Sequence, residues 1–363
     1  MRIAQVSISY KPILGGQEVY IDELNGILEQ VGHTIHTFQR DNGYVDPKVT
    51  LVSHPSFLRP VMGFNLGLLK HTRQLKTYDR LVIHYPDHYP TLNWHKGAVV
   101  LTHGVNWELD PPKKRARRIQ LARYSLKRAP VLVANDTHFY RTLGIAVAPG
   151  THAFCEVAPN RWYIPNCVDT TAFSRTTPHQ KLPAGKCIVV PRNVTPARGV
   201  DLAVAAFIEI ANEFPDTNLV IVGQALPNLE SEAYLNDIHQ QVATANLEER
   251  VVFLGSIPHH EMPAIFSGAV LTVIPTRANE GTALSALESM SCGTPTVVTA
   301  VAGLQDLPAT QALPTPESLA EAMRGTLHNP TVGATQQETV RERFNLDLWA
   351  KAWRNVLETP PHA

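Results

Sequence analysis

In the stretch NEGTALSALESMSCGTP, Glu280 and Glu288 stand with seven residues between them. If a helix opens near Gly281, the amides of Gly281, Thr282 and Ala283 lack intrahelical partners and can hold an anion, with Glu280 beside the positive helix end. Glu288 would then lie two turns deeper, among Leu284, Ala286 and Leu287, as a solvated acid or as a carboxylate accepting the two hydroxyls of a ribose. Arg192 and Arg198 follow the run CIVV, the second just ahead of Gly199 and an apolar helical run. Two guanidinium forks on one strand-to-helix loop suit the oxygens of a diphosphate, although surface arginines have the same spacing. Earlier, KPILGGQEVY carries Gly15 and Gly16, either a plain turn or a place where backbone approaches a ligand closely ahead of a helix N-terminus.

The elements that position these groups follow from periodicity. Short β-branched runs (RIAQVSI, HTIHTF, RLVIHY, AVVLTH, VLVAND) alternate with amphipathic stretches such as EVYIDELNGILEQV. In that stretch Leu24, Ile27, Leu28 and Val31 recur at helical offsets and Gly32 ends the pattern. The alternation breaks at about 164–186 and then restarts with CIVVP, NLVIVG, VVFLG, AVLTVIP and PTVVTA. Strand and helix in alternation predict parallel sheets with right-handed crossovers. The fold class is therefore α/β, with two facing Rossmann-like domains and a cleft between them, over 1–168 and 169–345. The last helix, about 346–359, is expected to cross back to the first domain.

Composition narrows the partners. Lys plus Arg and Asp plus Glu are 32 each, so no global charge draws the chain to nucleic acid, and any such attraction must be local. One local concentration is the run PPKKRARRIQLARYSLKRAP. On a helix over about 113–128, Ile119, Ala122 and Leu126 share a face and the cations cover the rest, which suits either solvent or an anionic membrane. Four cysteines without metal-like or CxxC spacing read as free thiols, and no run reaches the ~20 apolar residues of a membrane span. The expected location is cytoplasmic, extending to the inner face of the membrane.

Taken in order, GGQEVY, VVLTHGVN, IPNCVD, PRNVTPARGVDLAVAAF, LVIVG, VVFLGSIP and NEGTALSALESMSCGTPTVVTAVAG resemble family 4 of the retaining glycosyltransferases, which have the GT-B fold. The resemblance covers nearly the whole chain, and the paired glutamates followed by CGTP are its most specific mark. It implies a hexosyltransferase that moves a sugar from a nucleotide diphosphate sugar to a glycan, glycolipid or small-molecule acceptor, with no cofactor and no metal. It further implies that Glu288 holds the ribose, that Glu280 contacts the donor sugar, and that Arg192 and Arg198 hold the diphosphate. His103, otherwise a capped strand end, maps to the family histidine near the donor phosphates and sugar. Gly15, Gly16, Gly281, Thr282, Ala283 and Leu284 complete the implied donor site, and acceptor recognition falls to the first domain.

The chain departs from the family at four places. Arg198 replaces a lysine, Gly281, Thr282 and Ala283 replace GFG, Cys167 replaces the glycine of PNGVD, and residues 302–306 replace GGxPE. The alternatives are a non-catalytic nucleotide-sugar-binding protein and an epimerase or phosphorylase on the same fold. A nicotinamide-dependent oxidoreductase would need a GxGxxG after the first strand of a unit, and none is present.

Overall fold

The computed structural model describes residues 1–13, 15–55, 57–105 and 107–359. Leu14 of KPILGGQEVY and Asn106 of VVLTHGVN lie outside them. The chain divides into two compact units: Met1–Ala148 with His152–Asn166 and the segment from Asp347 onward, and Cys167–Leu346 with Pro149–Thr151.

The first unit is built on strands β1 (Arg2–Val6), β2 (Thr34–Arg40), β3 (Val49–Val52), β4 (Arg80–His84), β5 (Ala98–Thr102), β6 (Val131–Ala134), β7 (Cys155–Ala158) and β8 (Arg161–Tyr163). They form one sheet in the order β3-β2-β1-β4-β5-β6-β8-β7, parallel except for the β7–β8 pair. The second unit carries β9 (Lys186–Val190), β10 (Thr217–Val222), β11 (Val251–Gly255), β12 (Leu271–Ile274), β13 (Thr296–Thr299) and β14 (Thr310–Ala312). Its sheet, wholly parallel, runs β11-β10-β9-β12-β13-β14.

Both sheets therefore share a Rossmann-like order in which the direction of strand addition reverses once, between β1 and β4 and between β9 and β12. Helices must cover both faces of such a sheet, which is why central strands are continuous apolar runs. Every residue of β5, β6, β12 and β13 is buried, whereas the edge strand β3 buries only Val52. At each reversal the chain leaves neighbouring strands in opposite directions, and a crevice opens at their carboxyl ends.

The helix Gly16–Gln30 follows β1 and buries Ile21, Leu24 and Leu28, with Gly32 in left-handed conformation (φ 87°) behind it. Val31, placed by periodicity on the same face, is 40% exposed because the helix has already ended. The helix Leu346–Glu358 packs on the first unit: Trp349 and Trp353 meet the Tyr20 ring edge-on, and Trp353 Nε1 donates to the Tyr20 hydroxyl at 2.8 Å. The basic segment is a helix, Pro112–Arg128, with Ile119, Ala122 and Leu126 on the core. No described helix is long and apolar enough to cross a membrane.

The first unit also buries histidines, and this sets a pH response. Burial pushes His84 well below the ordinary histidine range, His88 down to about 4 and His103 to about 3. A group neutral in the fold and protonated in the unfolded chain gives stability that is complete above about pH 6.5 and lost as pH falls toward its folded value. His88, 2% exposed, alone should cost about 2 kcal/mol between pH 7 and pH 5. Carboxylates titrate below this window. All five tryptophans (Trp94, Trp107, Trp162, Trp349 and Trp353) lie in the first unit, so tryptophan fluorescence isolates it. Its urea midpoint should fall clearly from pH 7 to pH 5, and a constant midpoint would mean that these histidines are already charged in the fold.

Candidate active site

In the second unit the loops after β9 and β12 flank the reversal, and they are stitched together. Arg277 N–H donates to the Ala197 carbonyl at 3.0 Å. Gly199 (φ 66°) lets the first loop lie against the second, for a Cβ there would come within 2.0 Å of the Pro275 carbonyl oxygen. Gly223 has the same role on the other side, with Arg192 O only 2.2 Å from its notional Cβ. This packing brings both arginines to one carboxylate. Arg192 Nη2 lies 3.1 Å from Glu280 Oε2, Arg198 Nη1 pairs with the same oxygen, and the Thr276 hydroxyl donates to it at 3.3 Å.

The electrostatics of this cluster follow from burial. The Arg192 and Glu280 side chains are 10% and 12% exposed, while Arg198 is 37% exposed. Burial alone would raise the Glu280 carboxyl, but the two guanidiniums overcome it and hold the acid below its usual range. Burial likewise draws Arg192 down to about 10, against the opposing pull of Glu280. Arg192 Nε and Nη2 nonetheless lack hydrogen-bond partners among the described residues, because the contact with Glu280 does not meet hydrogen-bond geometry. Buried donors of a cation left in this state are costly, and an incoming anion satisfies them.

The helix after β12 begins at Leu284, three residues later than the expected start at Gly281. Glu280 is anchored at both ends, by the arginines and by the Gly303 N–H that donates to its carbonyl at 2.9 Å. Asn279 takes a left-handed turn (φ 59°) and Ala283 is extended, so 281–283 cannot join a helix. The amides of Gly281, Thr282 and Ala283 are thus loop amides, and Leu284 and Ser285 open the helix. Ser285 Oγ is buried without a hydrogen-bond partner.

Glu288 is 6% exposed, which removes the solvated reading, and it accepts from His259 Nε2 at 2.8 Å. His259 sits after β11 in IPHHE, over the Phe173 ring at 5.2 Å, and was not singled out in the sequence. A histidine in a loop that follows a parallel strand was the available signal. The CGTP segment ends this helix with a left-handed glycine. Gly293 (φ 79°) donates to Met290 O at 2.9 Å and Thr294 to Ser289 O at 3.2 Å, the paired bonds of a Schellman stop.

The first unit holds the other expected residues. Gly15 caps the helix Gly16–Gln30 in extended backbone, and a Cβ there would meet Glu18 Oε2 at 3.3 Å. A carboxylate thus already faces the start of this helix. His103 follows β5, beside the ends of β1 and β4, and is hydrogen-bonded to His84 at 2.8 Å. The Tyr20 and Tyr85 rings flank it at 5.0 and 5.5 Å.

Comparison with known proteins places this geometry. Residues 176–343 match the family Glycosyl transferases group 1. The GDP-mannose-dependent alpha-(1-6)-phosphatidylinositol monomannoside mannosyltransferase of Mycolicibacterium smegmatis is 28% identical over 220 residues, 55% of this chain and 51% of that protein. The first curated relatives are matched over about a quarter to about half of their own length. Sucrose-phosphate synthase from Thermosynechococcus elongatus superposes over 98% of both chains with a TM-score of 0.80 at 21% identity. Anabaena HepE, in complex with UDP and glucose, superposes over 98% of this chain and 99% of its own with a TM-score of 0.78 at 17% identity. At such identities the superpositions speak to fold alone. The chain has the GT-B fold, and its residues 176–343 are similar to the glycosyl transferases of group 1.

Proposed function

We propose that the protein is a retaining glycosyltransferase that moves a hexosyl unit from a nucleotide diphosphate sugar to a carbohydrate, lipid-linked or small-molecule acceptor bound by the first unit. The observation that carries this reading is Arg192, a buried cation with unpartnered N–H groups at the strand reversal, sharing one carboxylate with Arg198. A diphosphate laid across Arg192 and Arg198 supplies the missing acceptors. In the reaction the bond from the anomeric carbon to the diphosphate breaks, and the acceptor oxygen bonds to that carbon on the same face. The acceptor proton passes to the leaving phosphate. Charge grows on the leaving group, so preset guanidiniums stabilise the transition state more than the ground state, in the place a metal ion would otherwise take. Glu288, oriented by His259, accepts the ribose hydroxyls. Glu280, released from Arg198 when the diphosphate arrives, turns to the donor sugar.

A second component of the reading concerns the surface. The helix Pro60–Lys70 exposes Val61, Met62, Leu66 and Leu69 at 42 to 52%, an apolar face on a helix whose other side is already in the core. The short helix Tyr89–Leu92 touches both this helix and the basic helix Pro112–Arg128, and right-handed crossovers put all three on one face of the sheet. Apolar side chains beside Lys113, Arg117, Arg123 and Lys127 suit an anionic lipid surface, on which a lipid-linked acceptor would lie.

Four experiments test these statements. In a thermal-shift panel of uridine, guanosine, adenosine and thymidine diphosphates, the best stabiliser names the base. Arg198→Ala should weaken that nucleotide by roughly tenfold or more and turnover further, while Arg198→Lys recovers part of both. A parent-like Arg198→Ala would remove the diphosphate from this site, and donor binding without turnover or hydrolysis would favour the non-catalytic alternative. Glu280→Gln should lower the melting temperature, because a buried Arg192 loses its counter-charge, yet give a larger shift with the same nucleoside diphosphate than the parent, because carboxylate and diphosphate compete for the same two forks. An equal or smaller shift would contradict the competition. Flotation with anionic vesicles at low salt should carry the parent upward, and Leu66→Asp with Leu69→Asp should leave it behind. A parent that stays at the bottom would end the membrane reading.

A further inference from the structure

Arg198 is the more exposed of the two paired arginines, and it rides on a single turn, Pro196–Arg198, between β9 and the helix Val200–Ile210. A third arginine fixes this turn. Arg277, on the loop after β12 that also carries Glu280, grips it on both sides of Arg198. Its backbone N–H donates to the Ala197 carbonyl at 3.0 Å, and its guanidinium Nη2 donates to Asp201 Oδ2.

Asp201 is itself held. Its Oδ1 accepts the Tyr234 hydroxyl, and the oxygen of that hydroxyl accepts the Asp201 N–H at 3.0 Å. The helix Val200–Ile210 starts on Gly199 without a side-chain cap of its own, so the phenol takes one of the donors that a helix start leaves open. A carboxylate only accepts and a phenol has one hydrogen, so both bonds exist only while Tyr234 is protonated. Burial, together with the Asp201 carboxylate, pushes the Tyr234 phenol well above its ordinary range and keeps it so. Tyr234 belongs to the helix Leu229–Thr244 that follows β10. The group therefore ties together the segments after three adjacent strands, β10, β9 and β12.

The other bonded tie between these loops, Arg198 with Glu280, is the one that an incoming diphosphate breaks in the proposed reaction. Loops held by that ion pair alone would loosen as the donor binds. The Arg277 grip uses neither of those side chains, and it survives the exchange. We propose that Tyr234, Asp201 and Arg277 form a clamp that keeps the Arg198 fork aimed at the diphosphate while Glu280 leaves it. They are positioning residues, since both Asp201 oxygens are already engaged within the clamp. The inference rests on the reading that a diphosphate lies across Arg192 and Arg198.

The test is a double-mutant cycle, read by calorimetric titration with whichever of uridine, guanosine, adenosine and thymidine diphosphates best stabilises the parent. Arg277→Met should weaken binding by roughly threefold to tenfold, the cost of ordering one or two side chains on binding, and Arg277→Lys should recover part of it. Tyr234→Phe, which keeps the ring in place, should shift affinity in the same direction. In an Arg198→Ala background neither change should cost anything further, because the fork they position is gone. Losses that persist in that background would overturn the clamp. If Arg198→Ala loses affinity while Arg277→Met and Tyr234→Phe bind like the parent, the clamp falls and the diphosphate site stands. A parent that binds none of the four, or a parent-like Arg198→Ala, would remove the diphosphate reading and the clamp with it. Without nucleotide, Arg277→Met should speed amide exchange at residue 277, whose N–H is the other half of the grip. Unchanged exchange there would overturn the link between the two halves whatever the donor.

Discussion

A guanidinium buried at the end of a parallel strand has to be matched by an anion, and in this protein Arg192 is matched only in part. Glu280 neutralises charge but leaves the Nε and Nη2 hydrogens of Arg192 unbonded. The rest of the second unit bends around this incomplete pairing. Gly199 and Gly223 give up side chains so that two loops close over it, and residues 279–283 forgo helical structure so that Glu280 reaches inward. A buried pair of this sort contributes little net stability, since desolvation offsets attraction, but removing either partner is expensive. The arrangement makes sense as one held ready for a second anion.

The first unit meets the same topological position with different chemistry. Where the second sheet reverses it places charges, and where the first reverses it places neutral polar groups bonded in series, Asn25 to Gln5 to His84 to His103. Gln5 belongs to β1, His84 to β4, and His103 follows β5, three adjacent strands whose register brings the groups within bonding distance. The contrast follows from burial. Neutral amides and imidazoles are satisfied by one another in a low dielectric, while an isolated charge would not be. Gly15 and Glu18 add to it, with a carboxylate beside the start of the helix Gly16–Gln30.

Local pattern made the larger elements legible. β-branched runs separated by amphipathic stretches imply two doubly wound sheets whatever the ligand, and Gly32 and Gly293 mark helix ends because only glycine takes those left-handed turns easily. The short edge elements were not legible. β3 is four residues long and mostly half-buried, and the β7–β8 hairpin turns through Asn160 at φ 58° without a strong apolar period. Site residues could be named from their types and their resemblance, but their pairing could not. Nothing in NEGTALSALES says that Glu280 belongs to Arg192 and Arg198, and local pattern alone lets the helix open at Gly281. The Glu288–His259 bond spans 29 residues of sequence and depends on the neighbouring strand loops.

Helix Pro60–Lys70 illustrates why surface function escapes periodicity. An amphipathic helix is recognised by one apolar stripe, but this one is apolar on both sides, with Phe64 and Leu68 in the core and Val61, Met62, Leu66 and Leu69 outward. Read alone, such a segment is simply a hydrophobic helix in a core. Only the tertiary structure reveals that one side leaves its apolar side chains half exposed. The basic helix Pro112–Arg128 shows the complementary case, since its cations face outward while its few apolar residues are used up on the core. Neither helix alone has what a lipid surface requires, namely apolar side chains to insert and cations to hold the headgroups. The shared contact with Tyr89–Leu92 brings the two halves together, and this juxtaposition is a property of the crossover rule that places both helices on one face of the sheet.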